Sequence, residues 1–233
     1  MNLSSKLGGL VLIVVGLLNI FRIFPILFTE GVTLDQIPPH TLEDTIFIAQ
    51  TNAYLVSHIM ALLATPLFIF GITLFNKNNL NIKRDTTKYI GLFALIGLTI
   101  GQLFYSLGLI IDGFTLPTFI NDFVQNKEND SMKAVIMGVH QIAMGFAGIG
   151  FFTLLLSTGI FGFVLYRIKW NRFISASMIF LGFSATIGYF IGFLDPMIGG
   201  NFEFTYGALT FMYLLYLSMG VYQMKRDNQE KVV

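Results

Sequence analysis

Six long apolar runs, separated by short polar connections, constrain the fold of this chain more than any other feature. The runs lie at 7–28, 53–75, 89–111, 134–166, 173–194 and 206–224. A helix needs about 20 apolar residues to cross the hydrocarbon core of a bilayer, and each run has that length. Hydrophobic residues make up 55% of the chain and charged residues 12%, about half the charge of a typical soluble domain. The pattern predicts an all-α membrane protein, with residues 1–233 forming one bundle of six transmembrane helices.

The distribution of basic residues predicts how this bundle is oriented. The N-terminus, the connections 76–88 and 167–172 and the C-terminal tail hold most of the 14 Lys and Arg residues. The connections 29–51, 112–133 and 195–205 are acidic. Because positively charged loops stay in the cytoplasm, we expect both termini to be cytoplasmic and the acidic connections to lie outside.

Several classes of function are disfavoured by composition. The chain contains no cysteine, so disulfides, thiolate metal sites and cysteine nucleophiles are excluded. A net charge of +1, with most of the basic residues on the predicted cytoplasmic side, predicts no nucleic-acid partner. Neither a G-x-S-x-G motif nor a Walker A loop occurs, which disfavours a serine hydrolase and an ATPase. The composition therefore favours a protein that is not an enzyme and whose main partner is the lipid bilayer.

Polar residues interrupt the apolar runs at similar depths beneath the predicted outer face. Ionisable groups inside a membrane are costly, and they usually face the protein interior and pair with one another. We therefore predict a polar ligand-binding site near the outer face. Its candidate residues are Asn19, Arg22, His58, Asp112, His140, Gln141 and Asp195.

Each candidate also has a structural interpretation. Arg22 could extend its side chain to the outer headgroups instead of pairing with Asp112, Asp195 or a ligand anion. His58 and His140 could bond backbone carbonyl or hydroxyl groups of neighbouring helices. The two aspartates could simply mark the ends of helices. The sequence leaves these alternatives open.

Three functions are compatible with such a site. The preferred function is binding or transport of a small molecule or ion. A second is a b-type haem protein in which His58 and His140 are the axial ligands and Arg22 pairs with a propionate. A third is a metal-dependent hydrolase that uses both histidines and an aspartate, although no HExxH-type spacing supports it.

The spacing of His58 and Asp112 resembles that of His140 and Asp195, which suggests that the hairpins 52–112 and 133–195 are duplicated. Such copies would be parallel repeats about an axis along the membrane normal. Two hairpins of membrane-spanning length would also give similar spacings by chance. The glycine-rich helix faces could in addition support an oligomer.

Two stretches carry a family resemblance: TNAYLVSHIMALL, which contains Asn52 and His58, and the longer HQIAMGFAGIGFFTLLLSTGIFGFVLYRIKWNRFISASMIFLGFSATIGYF. Together they cover about a third of the chain. They resemble a family of uncharacterised bacterial multi-span membrane proteins, a domain of unknown function. The matching positions of the longer stretch are His140, Gly145, Phe151, Gly162, Tyr166, Arg167, Gly182 and Tyr189. This chain has Asn171 where the family often has proline. The resemblance implies a compact multi-pass protein of a bacterial plasma membrane and implies no activity.

Overall fold

The computed structural model describes residues 3–33, 42–80, 86–125, 130–194 and 202–229, and their regular structure is entirely helical. The elements are α1 (Leu3–Phe21), α2 (Phe24–Leu27), α3 (Leu42–Ala49), α4 (Asn52–Leu80), α5 (Thr86–Ile110), a π-helix (Ile111–Thr115), α6 (Leu116–Gln125), α7 (Asp130–Arg167), α8 (Arg172–Leu194) and α9 (Phe202–Gln229).

Five helical stretches are long and apolar enough to cross a membrane, and they overlap the first five predicted spans. They are Leu3–Leu27, Asn52–Leu80, Thr86–Gln125, Ser131–Arg167 and Arg172–Gly192. The predicted sixth span lies within α9, which is helical over 28 residues. This helix is less apolar than the others because it carries four tyrosines and Gln223. Its crossing of the membrane, and the orientation of the termini, stay predictions.

The six long helices pack in a closed ring. Following the contacts around the ring, the order is α1, α4, α5, α7, α8, α9 and back to α1. Glycines allow the closest approaches: a Cβ atom at Gly150 of α7 would lie 2.5 Å from the Tyr105 backbone nitrogen of α5. The ring encloses one large hydrophobic core that includes Leu12, Phe68 and Tyr216.

The outward faces of these helices are apolar. On α5, the exposed side chains of Phe93, Ile96, Ile100, Leu103 and Leu107 follow one another at helical spacing. A continuous apolar surface of this kind is typical of a helix that faces lipid rather than water. The exposed faces therefore agree with the predicted bilayer environment.

The connection predicted at 112–133 is mostly helical. The helix predicted to end at Ile111 continues through the π-helix into α6, and α7 begins at Asp130. At 1.5 Å per residue, the stretch Thr86–Gln125 is about 60 Å long, twice the thickness of the hydrocarbon core. The expectation of a loop was wrong because apolar residues Leu116, Ile120 and Phe123 recur at helical spacing.

These three side chains belong to a second, smaller hydrophobic core, which also contains Ile26, Ile48 and Ile136. It joins α2, α3, α6 and the first turns of α7. We call this end of the bundle the far end. The opposite end, which carries Lys6, Lys77, Lys88, Arg167 and Arg226, is called the basic end.

Candidate functional site

The Asp112 carboxylate is the centre of a largely buried cluster at the far end. Its Oδ2 atom accepts a hydrogen bond from the Tyr54 hydroxyl at 2.5 Å and lies 3.2 Å from His58 Nε2. Its Oδ1 atom lies 3.2 Å from His140 Nδ1. One side chain therefore connects α4, the π-helix and α7. We call Tyr54, His58, Asp112 and His140 the histidine–aspartate cluster.

The π-helix places Asp112 between the two histidines. A π-turn contains an extra residue compared with an α-turn, and such turns are rare and frequent at functional sites. The next residue, Gly113, packs its backbone against the imidazole ring of His58. A Cβ atom at Gly113 would lie 2.5 Å from His58 Cγ, which explains why glycine follows Asp112.

The contacts of His58 require a proton between His58 and Asp112. His58 Nδ1 lies 2.8 Å from the Tyr54 backbone carbonyl oxygen, which can only accept, so Nδ1 carries a hydrogen. The other ring nitrogen, Nε2, faces a carboxylate oxygen. A lone pair on His58 Nε2 would repel one on the carboxylate oxygen. Either Nε2 therefore also carries a hydrogen, which makes His58 doubly protonated, or Asp112 is protonated. In both cases the pair has no net charge, which lowers the cost of burying it.

His140 can take up a proton without losing a contact. Its Nδ1 donates to Asp112 whether the ring is neutral or positively charged. Within the described part of the chain, no hydrogen-bond partner is recorded for His140 Nε2. The His140 side chain is 21% exposed and that of His58 is 8% exposed. Of the two histidines, His140 is therefore the one placed to exchange a proton with water.

The cluster lies near one boundary of the predicted hydrocarbon core. Counted along the helices, His58 lies about 28 Å from Lys77 at the basic end. Asp112 lies about 36 Å from Lys88, and His140 about 40 Å from Arg167. The hydrocarbon core is about 30 Å thick. Their contacts to Asp112 bring the two histidines together, although their distances from the basic end along the helices differ by about 12 Å.

Arg22 lies apart from the cluster. Its guanidinium carbon lies 5.6 Å from the centre of the Tyr105 ring, and Tyr105 is seven residues before Asp112 on the same helix face. Arg22 forms no ion pair with Asp112, whose recorded partners are Tyr54, His58 and His140. The Tyr105 side chain is buried and Arg22 is half-buried, so the guanidinium lies at the edge of the core.

Asn19 is buried one turn before Arg22. Its Nδ2 donates to the Val15 carbonyl oxygen at 3.0 Å, and its Oδ1 has no hydrogen-bond partner among the described residues. Among the described residues, the hydrogen bonds of His58 and His140 are made with Tyr54 and Asp112 and include neither Asn19 nor Arg22.

Gln141 lies outside the histidine–aspartate cluster, and its role in ligand binding stays a prediction. Successive residues of a helix point about 100° apart, so Gln141 faces a different direction from His140. Here His140 contacts Asp112, whereas Gln141 is exposed on the outside of α7. Asp195, the remaining predicted residue, lies outside the described residues.

Tyr54 was missed from the sequence. It is four residues before His58, which places both on one face of α4. The ring centroids of Tyr54 and His58 lie 4.2 Å apart. The Tyr54 hydroxyl donates to Asp112, and its backbone carbonyl oxygen faces His58 Nδ1. A tyrosine four residues before a histidine within an apolar run was the sequence pattern that could have predicted this contact.

Buried polar side chains also lie along the core between the cluster and the basic end. We call Tyr105, Gln102, Tyr213, Tyr216 and Gln223 the polar row. Gln102 is fully buried; its Oε1 accepts from the Tyr213 hydroxyl at 3.0 Å, and its Nε2 donates to a threonine hydroxyl at 3.0 Å.

The polar row reaches the basic end along α9. Tyr213, Tyr216 and Gln223 occur at spacings of three and seven residues, so they share one helix face. The Tyr216 hydroxyl lies 3.0 Å from that of Thr158. Gln223 Nε2 donates to the Ser5 hydroxyl at 2.6 Å. Polar groups therefore occupy the core at several levels between the two ends.

The geometry does not fit the haem alternative. Two axial histidines must point at one iron from opposite faces of a porphyrin. Here His58 and His140 point at the two oxygens of one carboxylate, and the Gly113 backbone covers the His58 ring. These contacts leave no space for a porphyrin between the two histidines.

The metal-hydrolase alternative has no support either. The ring nitrogens of His58 and His140 are directed at Asp112 rather than at a shared position beside it. Among the described residues, no group of three His, Cys, Asp or Glu side chains is arranged to hold a metal ion.

No family model, no curated protein and no solved structure matches this chain.

Proposed function

We propose that this protein is a multi-pass membrane protein that binds and moves a small ion, and that the ion is the proton. The observation that carries this proposal is the carboxylate shared by two histidines at one end of the polar row. Ionisable chains of Asp, Glu and His inside membranes are typical of proton relays. In this proposal the protein lies in a bacterial plasma membrane, with both termini cytoplasmic.

The protonation of the cluster supports this ion over larger ligands. The Tyr54, His58, Asp112 and His140 side chains contact one another directly, at 2.5 to 3.2 Å. A proton needs no additional space there, since it can move between two atoms that already share a hydrogen bond. Histidine is also the side chain whose charge changes most readily near neutral pH.

The proposed path has an entrance, a carrier and a relay. His140 Nε2 is the entrance, because it is the ring nitrogen placed to meet water. Asp112 carries the proton to His58 through its two oxygens. In the proposal, water between Asp112 and the Tyr105 hydroxyl, and between the other hydroxyls of the polar row that are not in contact, passes the proton toward the basic end, while the Gln102 amide orients the Tyr213 hydroxyl.

Proteoliposomes test this function. The purified protein is reconstituted with a pH-sensitive dye inside, and a potassium diffusion potential made with valinomycin drives protons inward. We expect wild-type liposomes to acidify faster than liposomes without protein. Asp112→Asn should reduce the rate to that of protein-free liposomes, because an amide cannot hold and release the shared proton.

Asp122→Asn is the matched control, since Asp122 is exposed on α6, beyond the cluster. This variant should acidify at the wild-type rate. The proposal fails if wild-type liposomes acidify no faster than empty ones, or if the Asp112 and Asp122 variants behave alike.

A further inference from the structure

A cavity of about 700 Å³ opens at the basic end, away from the histidine–aspartate cluster. It lies between the last turn of α4, the first turn of α5, the turn after α7 and the end of α9. Its volume is within the range of small-molecule sites, which is about 300–1,000 Å³. The cavity is therefore large enough for an organic molecule and not only for a single ion.

The charges around this cavity have one sign. Lys88, Arg167, Lys169 and Arg226 line it, and the described part of its lining contains no carboxylate. These four cations come from three helices and one turn, which the fold brings together from distant parts of the sequence. A cleft lined by charges of one sign concentrates ions of the opposite sign. The cavity is therefore suited to an anion.

The floor of the cavity is fixed by aromatic and amide groups. Trp170 is buried; its indole Nε1 donates to Gln223 Oε1 at 3.2 Å. The Tyr222 hydroxyl donates to the Trp170 carbonyl oxygen at 3.3 Å, and the two rings meet edge to face at 4.8 Å. These contacts hold the floor in place before any ligand arrives, which limits the ordering cost of binding.

Lys169 occupies a backbone conformation that favours glycine. Its φ angle is 56°, the only positive φ of a non-glycine residue in the described part of the chain. The Trp170 backbone N–H donates to the Leu165 carbonyl oxygen at 3.1 Å, so α7 ends in a Schellman motif with Lys169 at the position where glycine is usual. Lysine instead of glycine at this position favours a role for its ammonium group in the cavity, which Lys169 lines.

We propose that this cavity binds the phosphate group of a phosphorylated molecule. Arginine matches phosphate oxygens through paired N–H groups, and lysine supplies a compact positive charge. The volume leaves room for the organic part of a phosphate monoester or diester. That group could belong to an anionic lipid, because basic pockets between helices at a membrane surface bind lipid headgroups, or to a soluble metabolite.

Trp170 provides the readout, because it is the only tryptophan in the chain and lines the cavity. The protein is placed in nanodiscs of zwitterionic phosphatidylcholine, and its fluorescence is followed in two arms. One arm adds glycerol 3-phosphate to the solution, and the other compares nanodiscs with increasing phosphatidylglycerol. We expect a saturable change in at least one arm. The arm that responds identifies the source of the phosphate.

Two variants and a control make the test specific. Lys169→Gly removes the ammonium and gives the turn its preferred residue, so the protein stays folded; Arg167→Gln removes a guanidinium. Each should weaken binding about tenfold, the effect of losing one charge-assisted hydrogen bond. Arg172→Gln, an exposed arginine at the same end but outside the lining, should bind as the wild type does.

The proposal is overturned if neither arm gives a saturable change. It is equally overturned if Lys169→Gly binds as tightly as the wild type, or if Arg172→Gln weakens binding as much as Lys169→Gly does. The latter result would mean that the probe responds to general surface charge.

Discussion

Replacing Asp112 with asparagine perturbs the histidine–aspartate cluster with almost no change in volume. The carboxylate receives three contacts, from Tyr54, His58 and His140. Asparagine keeps one acceptor oxygen and places an NH₂ group, which can only donate, where the second oxygen was. With the NH₂ group toward His58 and Tyr54, the Tyr54 hydroxyl loses its acceptor; with the NH₂ group toward His140, His140 Nδ1 loses its acceptor. In either orientation the remaining partners face a neutral group.

The size of the effect follows from these contacts. A hydrogen bond to a charged group contributes about 1.5–3 kcal/mol, and a neutral one about 0.5–1.5 kcal/mol. Since one bond is lost and two are weakened, while the cost of burying the charge is also removed, we expect Asp112→Asn to lower the free energy of unfolding by about 2–4 kcal/mol. Asp112→Ala leaves all three partners without an acceptor and should cost about 3–5 kcal/mol.

Unfolding in mixed micelles of increasing SDS content measures this quantity. Trp170 is the single tryptophan and lies buried at the opposite end of the bundle, so its fluorescence reports loss of the whole fold rather than a local change at Asp112. Asp122→Asn, made on an exposed residue, should stay within about 0.5 kcal/mol of the wild type. If Asp112→Asn is also within that limit, the carboxylate does not hold the three elements together as described.

Three further predictions concern other contacts of the bundle. Gly182→Ala places a methyl group against the Gly159 backbone and should lower the free energy of unfolding by about 1–3 kcal/mol in the same SDS assay. The control Gly145→Ala has no atom within 4 Å of the added methyl, so its stability should be unchanged or higher. Equal losses in the two variants would refute the described α7–α8 contact. Tyr213→Phe removes the hydroxyl bound to Gln102 and should cost about 1 kcal/mol; no loss in SDS unfolding would mean that this bond is not formed. Lys169→Gly relieves a left-handed backbone conformation and should raise the free energy of unfolding by about 1 kcal/mol; a decrease would show that the lysine side chain stabilises the turn.

The sequence predicted the parts of the fold that depend on hydrophobicity. Five apolar runs became helices of spanning length because each alone is long and apolar enough. The structure brings His58 and His140 to one carboxylate, and their common depth in the membrane stays a prediction. The resemblance to a bacterial membrane family and the hairpin duplication stay predictions; the second copy depends on Asp195, which lies outside the described residues.

Other features depend on tertiary contacts that a single sequence does not contain. Asp112 looked like the end of a helix, because an acidic residue followed by glycine is typical of a helix boundary. The chain instead continues through a π-turn, and Gly113 is needed for contact with the His58 ring. The Arg22 guanidinium lies over the Tyr105 ring, a neighbour that the sequence did not predict, and its pairing with Asp195 stays a prediction. Which neighbour a long side chain reaches depends on how the helices are rotated in the ring, and hydrophobicity alone does not fix that rotation.

The central claim is that a proton lies between His58 and Asp112, and the nitrogen NMR signals of the histidine rings test it most directly. The protein is labelled with ¹⁵N-histidine in nanodiscs, and the three histidines are assigned with single His→Gln variants. At pH 8 we expect His58 Nδ1 to be protonated, and its Nε2 to show either a bound proton or a strong hydrogen bond that disappears in Asp112→Asn. A His58 ring with one bare nitrogen at pH 8, identical in the wild type and in Asp112→Asn, would contradict the account.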